Sequence, residues 1–286
     1  MLNEEQKTFY HANGYLVVEK VFDASDLAEL NQVTDEFVHR SRAVTHSNEL
    51  FDVAPDHTAD TPKVRRVKDP DRQHDAYARA MRHPKLVAIL EDLIGPGVRF
   101  DHSKLNIKPV GGGAVIEWHQ DWAFYPHTND DLLAVGVLLE DCLEENGPLM
   151  VIPGSHRGPV HDHHHDGVFV GACDPTVLGE APKLAVALTG QAGSCTFHHV
   201  RALHASTENR GIRERRLLLF SYAAVDAWPI VDKYDLDEFN GRILTGAPTW
   251  MPRQIDVPVR IPLPRRDGTD GIFDDQAAVL GRSFDS

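Results

Sequence analysis

Past Gly97 the chain breaks into eight short apolar runs that alternate with turn-forming residues. They cover residues 98–108, 114–119, 132–140, 149–152, 168–171, 184–188, 193–198 and 217–225, with glycine, proline and asparagine in the gaps. The spacing therefore predicts a mainly β core, a sandwich or jelly roll rather than repeated βαβ units.

The first third reads differently. Leu2 to His11 is an amphipathic helix stopped by Asn13-Gly14, and Tyr15 to Phe22 is rich in strand formers. Ser25 is read as the N-cap of a helix carrying Leu27, Leu30, Val33, Phe37 and Val38 to about Arg40. Residues 43–63, polar and holding Pro55 and Pro62, read as loop. His83-Pro84 opens a further helix through Leu86, Ile89, Leu90, Leu93 and Ile94, ended by Gly95-Pro96-Gly97. The tail from residue 227 carries many prolines and charges and is expected to wrap the barrel. No linker divides the chain, so 1–286 reads as one domain: helical 1–97, barrel 98–226, tail 227–286.

Charge narrows the partners. With 29 basic and 43 acidic residues the formal net charge is −14, which opposes binding to nucleic acid or an anionic membrane. Cys142, Cys173 and Cys195 form no CxxC and cannot all pair, which suits small buried thiols in a reducing compartment. No basic segment followed by an apolar stretch opens the sequence, and no apolar run reaches membrane-spanning length. The expectation is a cytoplasmic protein acting on a small-molecule substrate, its oligomeric state unread.

Seventeen histidines invite a search for the few that do chemistry. Two H-x-D triplets occur, His119-Gln120-Asp121 and His164-His165-Asp166. Residues i and i+2 of a strand face the same way, so such a pair can share one metal ion. The first triplet closes the apolar run Ala114 to Trp118; the second sits in a polar stretch between Pro159 and Gly167 with no strand to hold it. The first is the better site, and the 161–166 cluster reads as a loop, or as part of a lid. Downstream, His204 precedes a polar turn with Asn209 and Gly211, and Arg213, Arg215 and Arg216 lead into the strand Leu217 to Val225. That is a hairpin, with His204 near the end of one strand and Arg215 at the start of the next.

These residue types belong together chemically. Two imidazoles and one carboxylate on one face of an octahedron are the ligand set of non-haem Fe(II) oxygenases. An α-keto acid can chelate two of the remaining positions, with O2 taking another. The far carboxylate of that cosubstrate then needs a fixed guanidinium. Ser206, two residues from His204, faces the same way and could reach it too.

The sequence resembles the phytanoyl-CoA dioxygenase family of Fe(II)/2-oxoglutarate-dependent oxygenases. The resemblance rests on His119-Gln120-Asp121, on Asn146-Gly147-Pro148-Leu149 running into Pro153-Gly154-Ser155-His156, on His204-x-Ser206-x-x-Asn209, and on Arg215 eleven residues past His204. It implies a double-stranded β-helix, a jelly roll like that of the cupins, with the N-terminal helices packed outside. It makes His119, Asp121 and His204 the iron ligands, Arg215 the main 2-oxoglutarate anchor and Ser206 its helper. Arg66, in Arg66-Val67-Lys68-Asp69, stands where family members often carry a cosubstrate lysine; Lys104 and Val137 fall at two further cosubstrate positions. The implied activity is hydroxylation of an unactivated carbon of a small metabolite, with release of succinate and CO2. Asp121 fills the position a halogenase would leave open.

Blander readings compete. A cupin-like isomerase or metabolite-binding protein would share the barrel and the ligands but gives no reason for Arg215. Arg216 is the alternative anchor if the turn is one residue longer. His198 and His199 read as packing or supporting hydrogen-bond groups, and Trp118, Trp122, Phe124 and Tyr125 as core or pocket wall. Pro153-Gly154-Ser155-His156 lacks the G-x-S-x-G pattern of a nucleophile elbow and reads as a turn.

Overall fold

A computed structural model describes residues 1–231, 235–266, 271–277, 279 and 282–284. The N-terminal part opens with helix α1 (Glu4–Asn13), strand β1 (Tyr15–Val18) and helix α2 (Ala24–Arg40). Strands β2 (Phe51–Val53) and β3 (Val64–Lys68) follow, then α3 (Pro70–Gln73), α4 (Asp75–Ala80) and α5 (Pro84–Ile94). The barrel strands are β4 (Val98–Lys108), β5 (Ile116–His119), β6 (Leu132–Leu138) and β7 (Leu149–Val151). A short ribbon of β8 (His164–His165) and β9 (Val168–Phe169) comes next, then α6 (Pro175–Leu178) and β10 (Val186–Leu188). Strands β11 (Cys195–His199), β12 (His204–Ser206) and β13 (Arg215–Ala224) complete the barrel. The tail adds α7 (Leu236–Gly241), β14 (Ile243–Thr245) and α8 (Ile272–Gln276).

Two antiparallel sheets form the core, a jelly roll. The larger runs β1-β11-β6-β13-β4-β3-β2, with β14 also on β4; the smaller runs β10-β7-β12-β5. Strand alternation gives the large sheet two unlike faces. Outward, Val67, Leu105, Val135, Val137, Phe197, Leu218 and Phe220 pack with Leu30, Val33, Phe37, Leu86 and Leu90 from the helices in one apolar core. At about 1.5–3 kcal/mol per fully buried large apolar side chain, this layer fixes the sheet against the helices. Inward, toward the small sheet, the same strands turn Arg66, Lys104, Lys108, Ala134, His198 and Arg215 into a cavity.

Local chemistry explains the helix ends. Asn3 and Gln6 form a capping box on α1, and Gly14 takes the left-handed conformation (φ 75°) that stops it. The cap of α2 is Asp23, not Ser25: its carboxylate accepts the amides of Ser25 and Asp26, and Asp26 reaches back to the Asp23 amide. An ionised carboxylate at a helix N-terminus gains from the macrodipole as well as from the hydrogen bonds, which favours it over a hydroxyl two residues on. Residues 43–63 are not all loop, since β2 pairs with β3 there. Among the described residues no helix is long and apolar enough to cross a membrane. The expectation of a wrapping tail extends partly to residues outside the described set. Within it, β14 pairs with β4, Pro258 accepts a hydrogen bond from Trp122 Nε1 at 2.9 Å, and α8 packs beside β5.

Candidate active site

Strand β5 ends on His119, Gln120 is still extended, and Asp121 opens a 3-10 turn. The triplet therefore keeps its two outer side chains on one face before the chain bends away. Across the small sheet His204 is the direct register partner of His119, and their ring centroids lie 4.0 Å apart. Ligand atoms of His119, Asp121 and His204 all fall within 4.8 Å of one another, and all three residues are buried.

The imidazole protons are fixed by their neighbours. His119 Nδ1 donates to the Glu117 carbonyl at 2.7 Å, and His204 Nδ1 to the Ala202 carbonyl at 2.9 Å. A carbonyl only accepts, so each proton sits on Nδ1 and each Nε2 keeps its lone pair. Burial lowers the His119 pKa to about 4 and holds His204 well below the usual histidine value, so both rings are neutral. Asp121 is pushed up by burial, but His204 and His198 outweigh this and hold it well below the usual carboxylate range. Two neutral imidazole nitrogens and an ionised carboxylate, converging with no proton between them, fit a divalent cation, and the set is that of non-haem Fe(II).

Arg215, the first residue of β13, lies opposite Lys108 of β4 and is 3% exposed. It makes no hydrogen bond or ion pair among the described residues, its Nε is buried without a partner, and burial lowers its pKa to about 10. A buried guanidinium left uncompensated costs several kcal/mol, so its presence here fits an anionic ligand. Lys108 Nζ donates to Ser206 Oγ at 2.9 Å and to the Thr207 carbonyl. Burial, then Arg215, push the Lys108 pKa well down. Arg215, Lys108 and Ser206 thus line one cavity together with the His119–Asp121–His204 cluster. Arg216, the alternative anchor, faces away and pairs with Asp35 at 2.7 Å.

Arg66 and Lys104 line the same cavity. Arg66 Nε donates to Asn106 Oδ1 at 3.0 Å. Val137 does not belong with them. It lies in the apolar core on the helix side of β6, while Ala134, three positions away and therefore on the opposite face, lines the cavity.

The structure corrects the reading of the 161–166 cluster. His164 and His165 pair with Phe169 and Val168 in a ribbon, and His163 is buried behind the ligands. His163 Nε2 accepts the Gln120 amide at 2.8 Å while its Nδ1 donates to the His161 carbonyl at 2.9 Å. Gln120 donates to the Pro159 and Arg201 carbonyls and accepts the His161 amide. This stretch supports the residue between the two ligands and is not a lid. His198 lines the cavity with Nε2 3.4 Å from Asp121 Oδ2, and His199 Nδ1 accepts the Arg201 amide. Trp118 and Trp122 are core; Phe124 and Tyr125 line a neighbouring cavity.

Lys108 escaped the sequence reading, although it lies four residues from Lys104 on the same strand and so shares its face. Ile272 and Phe273 of α8 also line the cavity, and Gln276 clasps β5 by accepting the Glu117 amide at 2.9 Å. No local pattern marks them, because only tertiary packing brings the tail to β5.

Comparison with known proteins agrees with this geometry. The sequence model described as phytanoyl-CoA dioxygenase (PhyH) matches residues 10–217. A probable alpha-ketoglutarate-dependent hypophosphite dioxygenase of Stutzerimonas stutzeri is 37% identical over 284 residues, covering 98% of this chain and 99% of the relative. The ectoine dioxygenase of Bordetella parapertussis is 28% identical, over 85% of this chain and 82% of that one. The crystal structure of EctD from S. alaskensis with bound Fe superposes with a TM-score of 0.69 at 25% identity, covering 92% of this chain and 89% of that one. The chain belongs to the phytanoyl-CoA dioxygenase family, and with it to the dioxygenases that depend on iron and 2-oxoglutarate.

Proposed function

We propose that His119, Asp121 and His204 hold Fe(II), and that Arg215 holds the distal carboxylate of 2-oxoglutarate with help from Ser206. Lys108 joins them, its ammonium already bonded to the Ser206 hydroxyl. Arg66 and Lys104 add positive potential to the same cavity. When bound, iron and cosubstrate supply the oxidising chemistry: one atom of O2 enters succinate, the other converts a substrate X–H into X–OH, and CO2 leaves. The chain's own part is to orient the reactants and keep bulk water out, which the buried cavity walls favour. No side chain is required as acid or base for the bond cleavage.

The observation that carries this reading is Arg215, a buried cation without a partner among the described residues, lining the same cavity as a cluster of two neutral histidines and one carboxylate. A metal-binding isomerase would have no use for it. Among substrates, the phosphorus oxyanion in the name of the full-length relative deserves the first assay, ahead of ectoine. We place the protein in the cytoplasm as one domain over 1–286, a reading supported by three free, buried thiols and by helices and barrel sharing one core. The test is succinate release from 2-oxoglutarate with Fe(II), O2 and each of these substrates. Release by the wild type and its loss in Arg215→Ala are expected; wild-type protein that binds neither Fe(II) nor 2-oxoglutarate would contradict the proposal.

A further inference from the structure

Positive charge flanks the ligand cluster at both ends of the inner face of β4. Lys108 and Arg215 stand at one end as register partners. Lys104 stands at the other, four residues away and opposite Lys68 of β3, while Arg66 lies across from Asn106 between the two ends. Four residues of strand span roughly 13 Å. A five-carbon dicarboxylate anchored at Arg215 and chelated at the metal ligands does not reach that far, so the Lys104 end needs another occupant.

Lys104 makes no hydrogen bond or ion pair among the described residues. It lines the central cavity and also a neighbouring one, which shares Asp121 with it but not Arg215. Each of the two cavities holds a further donor, Tyr125 in the neighbouring one and His198 in the central one. Among the described residues the buried Tyr125 hydroxyl has no hydrogen-bond partner, and His198, 1% exposed, has none at Nδ1, while its Nε2 stands 3.4 Å from Asp121 Oδ2. The carboxylates around Lys104 are engaged: Asp101 pairs with His102 Nδ1 at 2.7 Å, and Asp71 accepts the Ser103 hydroxyl. Asp52 is engaged by Lys68 at 3.1 Å and Arg66 at 3.9 Å, Asp69 is exposed at the rim, and Asp121 belongs to the metal set. An ammonium group on a substrate would find no free buried carboxylate among these residues, while a negative charge would find a cation and neutral donors together.

We infer that Lys104, with Tyr125 and His198, binds the substrate of the reaction proposed above, and that this substrate is a compact anion seated between Lys104 and the metal ligands. The inference rests on that reading of the metal and cosubstrate sites, and it gives Lys104 to the substrate rather than to 2-oxoglutarate.

The test titrates anaerobic enzyme holding Fe(II) and 2-oxoglutarate with hypophosphite, and separately with the zwitterions ectoine and L-proline, following the visible absorption of the loaded enzyme. Hypophosphite is expected to perturb the band saturably. In Lys104→Met its affinity should fall roughly 10–100-fold, and Lys104→Arg should recover part of it, with 2-oxoglutarate affinity within about twofold of wild type in both. An unchanged spectrum with hypophosphite overturns the inference, as does a response to the zwitterions in its place, or a Lys104→Met effect on 2-oxoglutarate instead of hypophosphite. Wild-type protein that binds no Fe(II) or 2-oxoglutarate removes the proposed function and this inference together. Wild-type protein that binds both and oxidises a zwitterion leaves the function standing and overturns the anion site alone.

Discussion

The chain carries two H-x-D triplets of identical spacing, and their fates differ. His119-Gln120-Asp121 ends a strand inside the small sheet, where register sets His119 against His204 and points both at Asp121. His164-His165-Asp166 lies on a two-strand ribbon whose partners are Phe169 and Val168. His164 Nδ1 bonds Asp162 at 2.8 Å, and the side chain of Asp166 is 89% exposed on a left-handed backbone (φ 49°). A metal site is therefore made by what lies across the sheet, not by i, i+2 spacing alone. The second triplet nevertheless sits beside a contributor, since His163 holds the amide of Gln120.

Breaking the first triplet should have the largest effect. Asp121→Ala or His119→Ala is expected to abolish stoichiometric iron binding and succinate release, while Asp166→Ala leaves both at wild-type values; iron content after loading and a turnover assay check this. Arg215→Ala should come next, retaining iron but weakening 2-oxoglutarate by roughly 10–100-fold, the scale of a lost charge-assisted pair, as read by cosubstrate titration. His163→Ala should lower iron affinity by about 10–100-fold, as other groups that orient ligands do, whereas His164→Ala should not; competition with a chelator measures both.

The smallest expected effect is on pH dependence of the metal-free protein. Burial lowers His163 to about 3, against an ordinary value of 6.5. The unfolded chain takes up that proton below 6.5 and the folded one does not, so stability falls as pH drops from 6.5 toward 3, by at most a few kcal/mol from this group. Thermal midpoints across that range should fall, and less steeply in His163→Asn than in the wild type.

Much of this site was legible in the sequence because its residues terminate strands: His119 closes an apolar run, and Arg215 opens another after a turn signal. Val137 comes from the family resemblance alone, and strand alternation argues against it, because residues an odd number apart on β6 face opposite ways and Ala134 holds the cavity side. The same rule, applied from Lys104, would have found Lys108. Strand β12, only three residues long, and the two-residue β8 are below what apolar periodicity resolves. The contributions of α8 are non-local altogether: Gln276 reaches Glu117 across 159 residues of chain.

Anaerobic titration of the purified protein with Fe(II) and then 2-oxoglutarate, read by visible absorption, goes most directly to whether the two imidazoles, the carboxylate and the guanidinium share one centre. One iron and one 2-oxoglutarate per chain are expected, with the band absent in Asp121→Ala and its 2-oxoglutarate dependence shifted in Arg215→Ala. Saturable iron binding that survives Asp121→Ala, or a band indifferent to Arg215, would contradict it.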